Sequence, residues 1–246
     1  GALKRAVETM VSKAQMEENF CFIYADLCRK CIDTWTALEP EEGSFSAAPG
    51  TEAGADNAAE TTETNKELRP MGKIFKEVLL SCCQHEFEFD HISVLNEIRE
   101  NAELNPDERT EKEILLKKRI TGHMRFIGEL YMKDLISASV MKNSCLEVLI
   151  PATQEEELVC LCKLFQTIGA KIEKYHMDKS RQKKYKGQNM EGVLPSYFEK
   201  IEDISKNHPS SRVRFMMKDL IEMRNNDWTA RREEDKMGNL EKKGPE

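Results

Sequence analysis

No apolar run in this chain approaches the roughly 18 residues that a membrane-spanning helix needs. There is no GxxxxGK[ST] phosphate loop, because Gly72-Lys73-Ile74 lacks both the leading glycine and the hydroxyl. No GxSxG nucleophile elbow occurs, and no convincing pair of strands. The histidines (His85, His91, His123, His176, His208) are scattered among charged and polar neighbours without paired metal spacing. These absences remove the common hydrolase, nucleotide-binding and metalloenzyme readings. No catalytic residue, cofactor, metal or membrane contact is expected.

Eight cysteines without a signal peptide predict free thiols, a reducing compartment and a cytoplasmic location. Cys28-Arg-Lys-Cys31 has the form of half a zinc site. A closed site needs a second pair at matching spacing, whereas Cys82 and Cys83 are adjacent and Cys160 and Cys162 lie one residue apart. On a helical projection Cys21, Cys28 and Cys31 share a stripe with Phe20, Tyr24, Leu27 and Trp35, which predicts small core residues.

The net charge of −7 is local. Residues 39–67 hold eight carboxylates against one lysine, a balance of −7 that leaves the rest of the chain neutral. The acidity therefore does not argue against an anionic partner elsewhere.

The remaining punctuation is helical. Residues 2–15 and 17–38 read as tandem helices, the remainder of a first repeat. Residues 39–70 are rich in Glu, Ala, Thr and Gly without apolar period, which predicts an acidic disordered insert. Helices resume over 71–89 and 91–104. Asn105-Pro-Asp-Glu108 is a start signal for a helix to about Lys133, with Gly122 a candidate break. Another helix spans 137–150 and stops at Pro151. Thr153-Gln-Glu-Glu156 has capping-box spacing and starts the next, which Gly169 is expected to end. A polar loop over 174–191, helices over 193–206 and 211–224, and a charged tail over 225–246 complete the chain, with 71–224 the remaining repeats of the same single domain as 1–38.

The helix over 154–170 is apolar nearly all round, from Leu158 through Phe165 to Ile168. Such a helix must be covered on several sides. Stacked antiparallel pairs at roughly 40-residue spacing would do so, giving an all-α solenoid of about five HEAT-like pairs. A compact bundle is the alternative.

The segment 209–224 is amphipathic with one aromatic out of place. Val213, Met216, Met217, Leu220, Ile221 and Met223 cluster on one face, while Phe215 falls nearly opposite, beside Lys218, Asp219 and Glu222. An exposed aromatic among charges suits a protein interface. The basic stretch 174–186, with Lys179, Arg181, Lys183, Lys184 and Lys186 around two tyrosines, suits phosphates and stacked bases. Lys118 and Arg125, from the cluster that includes Lys117 and Arg119 on the long helix, extend this RNA-binding expectation.

Several of these segments match one family. Glu18-Asn-Phe-Cys-Phe-Ile-Tyr-Ala-Asp-Leu-Cys28, Phe75 to Phe87, Phe126-Ile-Gly-Glu-Leu130, Leu158-Val-Cys-Leu-Cys162 and Ser210-Ser-Arg-Val-Arg-Phe-Met216 appear in its order. The chain resembles the middle domain of translation initiation factor 4 gamma, the scaffold of the eukaryotic cap-binding complex. The resemblance implies a HEAT-like solenoid lacking the first helix of its first pair. It implies binding and activation of the complex's DEAD-box ATP-dependent RNA helicase, with contact to messenger RNA, and it assigns Phe215 to the helicase's N-terminal lobe. Contact to the C-terminal lobe is expected to be absent or weakened, and the cap-binding protein to bind outside this chain. An RNA-binding HEAT module, or a paralogous helicase adaptor in splicing, decay or nuclear cap binding, is the alternative.

Overall fold

The computed structural model describes residues 1–37, 71–177 and 193–229. The acidic insert, most of the basic stretch and most of the tail lie outside them. The described residues are helical and contain no strand. Helix α1 spans Ala2–Met16 and α2 spans Cys21–Ala37 after a single 3₁₀ turn, Glu18–Phe20. Then come α3 (Met71–Glu88), α4 (His91–Glu100) and α5 (Pro106–Met132). Ala138–Val140, the π-helical Met141–Leu146 and Glu147–Leu149 run on as one rod, α6. Helices α7 (Glu155–Met177), α8 (Val193–Asn207) and α9 (Ser211–Asn225) complete the fold.

Helices α2, α5, α7 and α9 form one row, each packed on the next, and α3, α6 and α8 pack behind them. The core follows the apolar helix: Leu158, Leu161, Leu164, Phe165 and Ile168 of α7 are all buried.

The ends of α5 follow from local chemistry. Asn105 accepts from the Glu108 amide at 2.8 Å while Glu108 reaches back to the Asn105 amide at 3.2 Å, closing a capping box. At the other end Asp134 adopts φ 58°, and Leu135 N–H donates to the Leu130 carbonyl at 3.0 Å, as in a Schellman cap. Lys171 of α7 donates to the carbonyls of Tyr131 (2.7 Å) and Met132 (3.2 Å) in the last turn. A cation there is favoured by the helix dipole.

Two glycines that the sequence marks as a break and a stop lie inside continuous helices. A Cβ on Gly122 would sit 1.9 Å from the Gln15 carbonyl oxygen, so α1 crosses α5 in contact with its backbone. A Cβ on Gly169 would sit 2.0 Å from the Trp228 ring. Trp228 reaches that notch because Asp227 and Trp228 take φ 48° and 62° after α9, folding the chain back on α7. Its ring stacks on Phe165 and meets Phe198 edge-on. Helix α7 therefore continues to Met177, and part of the expected polar loop is helix.

The stripe expected on α2 is also rotated. Cys21, Ala25 and Cys28 are fully buried, with Tyr24, Cys31, Ile32 and Trp35 partly buried beside them, while Phe20 and Leu27 are exposed. Small side chains at i, i+4 and i+7 allow close approach of the neighbouring helices, and the bulky ones are left outside.

A buried polar link ties three helices together. His123 Nε2 lies 3.0 Å from the Cys83 carbonyl, which can only accept, so Nε2 carries the proton. Nδ1 then accepts from the Gln15 amide at 3.2 Å. Burial pushes His123 down to about 4, against a partial upward pull from the Cys83 carbonyl and Glu86.

Two predictions follow from this packing. In an open helix Gly169→Ala would gain about 1 kcal/mol. Here the indole must shift, and urea unfolding should show a net loss on the order of 1–3 kcal/mol. A stabilised variant would mean that the indole does not occupy the notch. Between pH 6.5 and about 4 the unfolded chain binds a proton at His123 that the folded chain refuses, so stability falls as pH drops through that window. The full effect is on the order of 3 kcal/mol. Urea midpoints at pH 7 and about pH 5 should converge in His123→Gln relative to the parent chain.

Candidate functional site

Phe215 is 65% exposed on α9. Every polar residue of Ser210-Ser-Arg-Val-Arg contributes to its setting except Ser211, for which no contact is resolved. Ser210 caps α9 by accepting from the Val213 amide at 3.4 Å, and its hydroxyl donates to Glu155 at 3.1 Å. Arg212 donates to the same carboxylate at 2.6 Å, which docks the start of α9 on the start of α7. Arg214 donates to the carbonyls of His208 (2.6 Å) and Pro209 (2.9 Å), fixing the α8–α9 turn. Behind the aromatic, Val213, Met217 and Leu220 are buried, and the Cys162 thiol lies 3.7 Å from the Met217 sulfur. Lys218 Nζ sits 5.7 Å from the centroid of the Phe215 ring. Asp219 and Glu222 are exposed beside them. The structure thus groups all four residues expected at a protein interface.

At the far end of the helix row lies a second apolar surface, two of whose residues, Phe20 and Leu27, were expected in the core. Phe20, in the turn before α2, and Ile23 and Leu27 of α2 are 52, 48 and 44% exposed. The signal for it was present: Cys21, Ala25 and Cys28 form a small-residue seam that competes for the inner face.

Between the two ends the surface is charged and internally paired. Glu18 meets Lys163 at 3.1 Å and Arg125 at 3.7 Å, joining the start of α2 to α5 and α7. Lys133 pairs with Asp26 at 2.6 Å. Of the basic residues expected on α5, Lys117 pairs with Glu113 and Glu156, Arg119 with Glu86, and Arg125 with Glu18. Lys118 is exposed and has no ion pair among the described residues. Lys179, Arg181, Lys183, Lys184 and Lys186 lie outside the described residues.

The MIF4G domain profile matches residues 2–227. The chain belongs to the MIF4G domain family. It is 32% identical over 245 residues to a eukaryotic translation initiation factor 4G of Cucumis melo, covering 94% of this chain and 10% of that protein. To the factor of Arabidopsis thaliana it is 31% identical over 241 residues, covering 93% and 11%. To eukaryotic translation initiation factor 4 gamma 1 of Mus musculus it is 30% identical over 244 residues, covering 94% and 13%. The chain thus spans about a tenth of the length of the relatives it matches.

Among the described residues of this MIF4G domain, no group of three or more His, Cys, Asp or Glu could hold a metal ion. No described helix is long and apolar enough to cross a membrane. The buried thiols are poor nucleophiles at neutral pH: burial pushes Cys21, Cys28, Cys145, Cys160 and Cys162 up to about 12, and Cys83 up as well. What the site offers is a shaped surface with an aromatic at one end and an apolar stripe at the other.

Because Phe215 contributes so little to the core, Phe215→Ala should shift folding stability by no more than about 0.5 kcal/mol. Thermal and urea unfolding of the two proteins should therefore coincide. A larger loss would place the ring in the core and remove the basis for treating it as an anchor.

Proposed function

We propose that this MIF4G domain is a module of a translation-initiation scaffold. In this reading it binds and activates the DEAD-box ATP-dependent RNA helicase of the cap-binding complex and contacts messenger RNA in the cytoplasm. The observation that carries the reading is Phe215, an exposed aromatic whose helix is docked by a motif that serves to orient it. The relatives' names as initiation factors support the setting.

The mechanism requires no chemistry from this chain. A two-lobed ATPase closes around ATP and RNA, and a rigid partner that touches both lobes reduces the entropy lost on closure. It accelerates the cycle only through higher affinity for the near-closed arrangement than for the open one. Phe215, with Lys218, Asp219 and Glu222 as its polar rim, is the anchor for the N-terminal lobe. The Phe20–Ile23–Leu27 surface at the other end of the row is suited to the C-terminal lobe. The cap-binding protein is assigned to regions outside this chain. Messenger RNA is assigned to Lys179, Arg181, Lys183, Lys184 and Lys186, together with Lys118 and Arg125 of α5.

The test is RNA-dependent ATPase of the cognate helicase, titrated with this chain and with Phe215→Ala. Loss of a hot-spot aromatic costs on the order of 2 kcal/mol, so the concentration for half-maximal stimulation should rise about 30-fold. An unchanged titration would remove Phe215 from the interface. Neutralising Lys183, Lys184 and Lys186 should weaken RNA binding and flatten its salt dependence while leaving helicase affinity intact.

A further inference from the structure

Behind the helix row, a groove of about 700 Å³ opens between the α3–α4 corner, α5 and α6. Its floor is apolar: Met124, Ile127, Ile136 and Leu149 are buried there. Phe89 on one bank and Val140 and Val148 on the other are about half exposed, so the apolar surface spreads beyond the cavity. The rim is acidic. Glu88, Asp90 and Glu157 line it and form no ion pair with a base among the described residues. Glu156 also lines it but is neutralised by Arg99 at 3.0 Å and Lys117 at 3.7 Å.

The π-helical middle of α6 shapes the far bank. Its i→i+5 bonding makes wider turns than an α-helix, and Val140, Ser144 and Val148, spaced four apart, all face the groove. Such π segments are frequent at functional sites. An α5 residue such as Met124 faces the groove, whereas Arg125 and Glu129 project from the opposite side of that helix toward the row bearing Phe215. Both surfaces can therefore be occupied together.

We propose that this groove docks an amphipathic helix of a partner protein, apolar on its inner face and lined with Lys and Arg on its flanks. The half-exposed valines and Phe89 call for several apolar side chains rather than one small ligand. Asp90 accepts from Ser93 and Glu88 from Gln84, but no base among the described residues offsets their charge or that of Glu157, and this net negative rim calls for cations. The occupant is helical because the banks are helices whose backbone groups are already bonded. An extended peptide would find no strand edge here to satisfy its own N–H and C=O groups, whereas a helix satisfies them internally. The chain's own acidic segment 39–67 carries the wrong charge for this rim.

The test uses a fluorescent synthetic peptide of roughly 18 residues, long enough for several helical turns. It carries leucines at i, i+3, i+4 and i+7 and lysines on both flanks, with a glutamate-flanked peptide of the same leucines as comparison. Saturable anisotropy is expected with the lysine peptide, at least tenfold weaker with the glutamate peptide, and at least tenfold weaker with the Val148→Asp chain. Val148 is 53% exposed, so thermal unfolding of that variant should match the parent. A Glu88→Lys/Glu157→Lys chain should reverse the preference between peptides, and Phe215→Ala should change nothing. The proposal is overturned by failure of the lysine peptide to bind, by equal affinity for both peptides, or by indifference to Val148→Asp. Sedimentation showing a dimer of the chain alone that Val148→Asp dissociates would overturn it in favour of a second copy as the occupant.

Discussion

A helix with no polar face cannot stand at a surface, and α7 imposes that condition on everything around it. Leu158, Leu161, Leu164, Phe165 and Ile168 point in different directions and are all buried. Burying such side chains stabilises the fold by about 1.5–3 kcal/mol each, which demands neighbours on every side. Helix α5 covers one flank, α9 another, α8 and the end of α6 the rear. The Trp228 ring closes the last exposed stretch at Gly169. Because these covering helices must lie side by side along α7, their outer residues form a row, and the row is the surface on which function is sought.

The helix count among the described residues, the capping box of α5 and the place of Phe215 were legible because each rests on local chemistry or on period. Asn105, Pro106 and Glu108 specify the start of α5 wherever it packs. Phe215 is off-stripe by angle alone. The two glycines were misread for a reason inherent to glycine. Its missing Cβ serves a left-handed stop and a close crossing equally well, and only the partner distinguishes them. Gln15 lies more than a hundred residues from Gly122, and Trp228 lies 59 residues beyond Gly169. Neither proximity is written locally.

The stripe on α2 failed for a related reason. The projection put Cys21 and Cys28 on one stripe with Phe20 and Leu27, and the structure buries the two cysteines while leaving the two bulky side chains outside. Packing ranks them by how closely α1 and α5 must approach, and the small set fits. When two candidate seams run along one helix, the bulkier is not always inside. The apolar side chains left out then become available to a partner, and here they lie at the opposite end of the row from Phe215.

The charge pattern separates the two surfaces of the molecule. Along the row, Glu18 with Lys163 and Arg125, and Lys133 with Asp26, consume most of the charge between the two apolar ends. Such exposed pairs add little stability, but a neutral centre lets both ends be approached without strong repulsion of either sign. On the groove side the pairing is incomplete, and the surplus is negative. One helix, α5, divides these environments, presenting Arg125 and Glu129 to the first and Ile120, Met124 and Ile127 to the second. A scaffold that must hold more than one component needs its contact surfaces to be chemically unlike, because identical surfaces would compete for the same partner. An apolar-ended neutral row and an acid-rimmed apolar groove on opposite sides of a single rod meet that requirement.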